Sequence, residues 1–150
     1  MPSLPDDRVF RISRFLPFSP EAVFSAFAKP ESLASWWGPD GFTNSFAVFE
    51  FRVGGRWTFV MHGPDGQDYP NTNRFTVLDP AERVVIRHDG EPYFTLTVEL
   101  AAVPGGTELT WVQAFDSPCI AQAVRTIVVP ANEQNLDRLT RCLAAATDAA

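Results

Sequence analysis

The sequence offers little sulfur chemistry. Its two cysteines, Cys119 and Cys142, are far apart, and neither belongs to a C-x-x-C pair. That excludes a disulfide framework or a thiolate zinc site and points to free thiols in a reducing, cytoplasmic compartment. Histidine is as scarce. His62 and His88 are the only two, neither with partners at metal-ligand spacing, so no metal is expected. Clustered positive charge is missing as well. Twelve Lys and Arg against eighteen Asp and Glu leave a formal charge of −6, which argues against nucleic acid and against docking on anionic membranes. No apolar run approaches the roughly 18 residues of a membrane span. The opening "MPSLPDDRVF" lacks the basic and apolar regions of a signal peptide. There is no Gly-x-Ser-x-Gly elbow, and "VGGR" lacks the glycine spacing and Lys-Ser/Thr ending of a phosphate loop. No catalytic residue and no cofactor is assigned on these grounds.

What is present is aromatic and apolar. Of 150 residues, 45% are hydrophobic and thirteen are phenylalanine. That length suits one domain, with its core expected over about 8–146. "RVFRISRFL" alternates as a first strand. In "FSPEAVFSAFAKPESLASWW", Ser19 can cap a helix, Pro20 suits its first position and Glu21 its first turn. Val23, Phe24, Phe27 and Ala28 form an apolar stripe, and Pro30 closes that helix and opens a second over Glu31 to Trp37. From Thr43 the period becomes two. Three pairs of strands are expected, turning at Gly54-Gly55, Asp79-Pro80 and Pro104 to Gly106, with a reversal from Gly63 to Gly66 between the first two. Leu136, Leu139, Leu143 and Ala146 then mark an amphipathic helix with Asn132 as its expected N-cap. The stretch from Cys119 to Val129 reads equally as a short helix or an extended segment. The string "GPDG" occurs at Gly38–Gly41 and at Gly63–Gly66 in different surroundings, which is turn chemistry used twice.

This order predicts an α+β fold. A curved antiparallel sheet of six to seven strands wraps around a long C-terminal helix, with two short helices after the first strand. A gap between sheet and helix, lined by aromatic side chains, would make a ligand pocket.

The strings "FSPEAVFSAFAKPESLASWWGPDGF", "FRVGGRWTFVMHGPDG" and "NEQNLDRLTRCLA" resemble the family related to the C-terminal domain of the activator of the 90-kDa heat-shock protein ATPase. That family lies within the START-like (SRPBCC, helix-grip) superfamily. The resemblance runs from about Arg8 to Ala146, and the Trp36-Trp37-Gly38-Pro39 and Arg52-Val53-Gly54-Gly55 strings in this order carry most of it. It implies a helix-grip fold with a cavity between the sheet and the C-terminal helix. Superfamily members include lipid and hormone binders, polyketide cyclases and aromatases. The eukaryotic chaperone activator carries a further N-terminal domain, for which this chain has no room, so ATPase activation is not the expected role.

The residues expected to line such a cavity are Trp36, Trp37, Phe59, Met61, Tyr69, Phe75, Trp111, Phe115, Leu136 and Leu139. Polar anchors could come from Glu50, Arg52, His62 and Asn73. Trp36 and Trp37 would point about 100° apart on a helix, one packing on the sheet and the other at the cavity mouth. Glu50 and Arg52 would share a strand face, with Arg52 opposite Trp57 across the Gly-Gly turn. His62, at a strand end, is the better general-base candidate, while His88 in "RHDG" is expected to be exposed near a turn. The expected function is binding of a small hydrophobic or aromatic molecule, lipids included. The alternatives are a cyclase- or aromatase-like enzyme using the same cavity, and a co-chaperone or other protein-interaction module. The oligomeric state is left open.

Overall fold

A computed structural model describes residues 6–149, with side chains from 7 to 146. Residues 1–5, which bear on the signal-peptide expectation, lie outside them. A 3-10 turn, Asp6–Arg8, leads into β1 (Val9–Leu16). Two short helices follow, α1 (Pro20–Ala28) and α2 (Pro30–Trp36). Then come β2 (Thr43–Phe49), β3 (Arg56–His62), β4 (Asp68–Asp79), β5 (Arg83–His88), β6 (Phe94–Val103) and β7 (Gly106–Phe115), and last α3 (Pro118–Ala149). The strands form a seven-stranded sheet in the order β1-β7-β6-β5-β4-β3-β2, with every pair antiparallel. The α+β architecture predicted from the element order, and the helix-grip fold implied by the resemblance, are those observed.

Period-two patterning gives the sheet a buried face. Along β7, Thr107, Leu109, Trp111, Gln113 and Phe115 are buried and the residues between them are half-exposed. Register shifts at Phe46/Val48 and Phe75/Val77 interrupt two ladders. Bulges of this kind bend a strand and raise its twist, which curves the sheet. The concave side is covered by α1, α2 and α3. The Ser19 hydroxyl accepts the Ala22 amide at 3.1 Å and caps α1, with Pro20 at the first helical position. Because α3 rests on α1, α2, β1 and β7, it leaves the middle of the sheet partly uncovered.

Three local expectations need correction. The β2–β3 connection spans 50–55 rather than a two-residue turn, so Glu50 and Arg52 stand in a loop. Only Gly54 has positive φ (82°). Gly55 is required for a different reason: a Cβ there would lie 2.1 Å from the Glu50 carbonyl oxygen. In the observed register Trp57 pairs with Phe49, and exposed Arg52 instead forms an ion pair with Glu50 at 3.3 Å. Finally, α3 is one 32-residue helix that begins at Pro118 and contains Pro130. Asn132 is therefore interior, where it donates to Gln113 Oε1 at 3.0 Å instead of capping.

Candidate functional site

The uncovered part of the sheet faces a gap of about 240 Å³. Its floor is built by alternate residues of consecutive strands: Phe59 and Met61 of β3, Asn71 and Asn73 of β4, His88 of β5, Phe94 and Leu96 of β6, and Trp111 and Gln113 of β7. Val128, Ala131, Asn132 and Asn135 of α3 form the opposite wall, with Trp37, Gly38 and Pro39 at one end and Pro92 at the other. An outer hollow shares Met61, Asn71, His88 and Pro92 with the gap, and Asp68, Tyr69, Glu91 and Ile127 stand on its wall.

The end wall at residues 37–39 is held from α3. Arg138 donates to five backbone carbonyls: those of Ser35 (3.1 Å), Trp37 (3.2 Å), Gly38 (2.9 Å), Pro39 (2.9 Å) and Phe42 (2.8 Å). Asn135 donates to the Trp36 carbonyl at 2.8 Å and accepts the Gly38 amide at 3.2 Å. Gln134 accepts the Asp40 amide at 3.1 Å. Residues 134, 135 and 138 share one face by helical spacing, so one face of α3 shapes the whole loop. Gly38 is at φ 97°, and a Cβ there would lie 2.7 Å from the Met61 methyl. The first "GPDG" is thus a wall segment. In the second, the Gly66 amide returns to the Gly63 carbonyl at 3.0 Å in a plain hairpin turn.

The gap holds one ionisable side chain, and it is not the one the sequence favoured. His88 is 8% exposed and stacks on Phe94 at 4.8 Å. Its Nδ1 lies 2.7 Å from Oδ1 of Asn73, itself 1% exposed. Burial pushes the imidazole below its ordinary 6.5; Asp89 opposes the shift and Arg87 adds to it. The ring is therefore neutral at pH 7. An amide oxygen only accepts, so Nδ1 carries the proton and Nε2 is the basic nitrogen. The expectation of an exposed His88 fails because "RVVIRH" keeps its alternation to the end: Val84, Ile86 and His88 all point inward.

His62 lies on the opposite face of the sheet. Its Nδ1 is 2.7 Å from Asp68 Oδ1 and its Nε2 is 2.7 Å from Ser45 Oγ. The order matches an acyl-transfer triad, but all three face solvent and none lines the gap. Glu50 and Arg52 are also remote from it. The Arg56 amide and, more weakly, the two neighbouring arginines hold the Glu50 carboxyl below its usual range.

Of the other expected residues, Trp37, Phe59, Met61, Asn73 and Trp111 border the gap. Trp36 does not. It is fully buried, donates to the Ala26 carbonyl at 3.0 Å and packs on Phe27, whereas Trp37 leaves the helix in an extended conformation. Tyr69 stands on the outer hollow with its hydroxyl donating to Asp65. Phe75, Leu136 and Leu139 belong to the main core, and Phe115 to a smaller cluster with Phe10 and Ala121. The sequence reading missed His88, Gln113, Asn132 and Asn135. For His88 and Gln113 the signal was a polar residue at an inward position of an alternating strand. Trp57 and Trp111 keep buried indole N–H groups without partners, and only Trp111 borders the gap.

Comparison with known proteins places this geometry. Residues 17–144 match the family described as Activator of Hsp90 ATPase homolog 1-like protein. A comparison with curated proteins returns no match. Among solved structures, a protein from Nitrosomonas europaea is 20% identical, covering 96% of this chain and 99% of its own, with a TM-score of 0.85. One from Rhodobacter sphaeroides is 26% identical over 95% of this chain and 96% of its own, at 0.82. An AHSA1-like protein from Aeromonas hydrophila is 23% identical over 93% and 94%, at 0.71. The family match spans most of the chain, and the chain belongs to the Activator of Hsp90 ATPase homolog 1-like family.

Proposed function

We propose that the protein binds a small apolar or aromatic molecule in the gap between the sheet and α3. The observation that carries this reading is the gap itself: aromatic and aliphatic walls with a few convergent polar groups, which is the make-up of small-molecule sites. At about 240 Å³ it lies near the lower end of ligand pockets and suits one or two rings better than a phospholipid. Thermal melting against a panel of bicyclic aromatics, small polyketides and lipids tests it. A ligand that binds only the native state raises the melting temperature with its concentration. Small aromatics are expected to do so and long-chain lipids are not; no shift from any compound would contradict binding.

A second reading, a proton-transferring enzyme of the cyclase kind, is favoured by His88. A neutral imidazole oriented by Asn73 in a confined gap is a suitable general base. The α-proton of a ketone would pass to Nε2 while the C–H electron pair moves into the enolate. Deuterium exchange into 2-tetralone in deuterium oxide measures this step. Faster exchange with the wild type than with His88→Phe supports the enzyme, and equal rates speak against it.

A further inference from the structure

Every polar side chain on the gap is uncharged. Asn71, Asn73, Gln113, Asn132 and Asn135 are carboxamides, His88 is a neutral imidazole, and among the described residues no Asp, Glu, Lys or Arg borders it. Arg138 spends its guanidinium on five carbonyls of residues 35–42. Arg74 and Arg87 are turned away and paired with Asp89 and Asp116. The amides nevertheless have capacity left. Asn73 Oδ1 is taken by His88, and Gln113 Oε1 by Asn132. Among the described residues, the Asn73 and Gln113 amide N–H groups, the Trp111 indole N–H and His88 Nε2 have no protein partner. Donor groups on three side chains and one acceptor, on side chains no more than 8% exposed, are therefore left for whatever fills the space. An occupant that covers these groups without matching them costs free energy, so it must bring matching groups.

We infer that the ligand of this gap is an uncharged one- or two-ring molecule with a hydroxyl group, or a hydroxyl beside a carbonyl, whose oxygens accept from the amide and indole N–H groups of the gap and whose hydroxyl hydrogen is donated to His88 Nε2. This rests on the binding reading above and names the chemistry of its ligand. An anion entering the gap would lose its hydration without gaining a cation. It would also pass Asp68 and Glu91 on the outer hollow and meet a chain of net charge −6. A cation would be drawn to that rim but would find no carboxylate inside.

Equilibrium dialysis at pH 7.5 with four probes of one shape tests the inference: naphthalene, 2-naphthol, 2-naphthoate and 2-naphthylmethylammonium. We expect 2-naphthol to bind about tenfold more tightly than naphthalene, the increment of one or two well-made hydrogen bonds, and both charged probes to bind more weakly than naphthalene. In at least one of Asn73→Leu and Gln113→Leu the 2-naphthol advantage shrinks while naphthalene still binds, and loss in neither counts against the inference. If either variant fails to fold, the ranking of the four probes on the wild type decides alone. A charged probe that equals or exceeds 2-naphthol, or naphthalene that equals it, overturns the inference and leaves the binding reading standing. Failure of all four to bind overturns both.

Discussion

Arg138 shows how much one side chain can determine. Its guanidinium satisfies carbonyls from Ser35 to Phe42 across about a hundred residues of sequence. The five contacts come from Nη1 and Nη2, three carbonyls sharing the two hydrogens of Nη1, in a planar fork that no other side chain supplies. Arg138→Met strands those carbonyls and should cost on the order of 2–4 kcal/mol, read as a lower urea midpoint. Arg138→Lys should recover only part of it. His88 supplies a pH signature. Its native pKa is depressed by burial, so near pH 6.5 the unfolded chain binds more protons than the native one. Stability is therefore fully present above about 6.5 and falls as pH drops from there toward the native value. Denaturant midpoints from pH 8 to 5 should show this fall, and His88→Gln should flatten it. Asp89 and Asp116, lowered mainly by their bonds to Arg74 and Arg87, add their own loss only below their ordinary 3.8. Arg138 did not announce itself in the sequence, and His88 did so only through its inward position in the alternating "RVVIRH". A lone arginine in an amphipathic helix reads as surface, and a histidine before Asp-Gly reads as turn. Only the sheet register and the loop it faces give them their roles.

At the scale of elements, the patterns that were legible are those with a local cause. Ser19-Pro20-Glu21 marks the start of α1, and the observed cap follows it. Ser19→Ala should cost about 1 kcal/mol in a thermal melt. The strands follow period two, and their turns follow glycine and proline. What the sequence obscured is α3. Pro130 normally ends a helix, because it lacks an N–H and its ring crowds the preceding turn. Here the segment before it is also helical, with Ala121 packed against Phe10 and Phe115. Of residues 118–130 only Ala121 is buried, and Ile120, Ile127 and Val129 are exposed, so tertiary burial alone does not account for the continued helix. Gly38 belongs to the same scale, since its positive φ and the nearby Met61 methyl fix the end wall. Gly38→Ala should destabilise by roughly 1–3 kcal/mol and weaken 2-naphthol binding. Asp65→Ala in the second "GPDG" removes the Tyr69 hydroxyl's acceptor on the outer hollow but touches no residue that lines the gap, and it should leave ligand affinity unchanged.

For the molecule as a whole, the architecture was readable because layers follow from element order. One long helix is too narrow to cover seven strands, and here it leans on β1, β7 and the short helices. The gap over β3–β7 is what that arrangement leaves. Which aromatic residues border it was readable only in part, since core and lining share one inward-facing pattern. Trp36 and Trp37 are adjacent in the chain, yet one is sealed against Ala26 and Phe27 while the other borders the gap. The four tryptophans therefore serve as internal reporters. Titrating 2-naphthol into protein labelled with 15N, with the indole resonances assigned, tests most directly whether a small molecule occupies the gap. The account predicts saturable shifts of the Trp37 and Trp111 indole N–H signals, with the Trp36 signal nearly unmoved. Shifts confined to surface amides, or none of the four indoles responding, would contradict it.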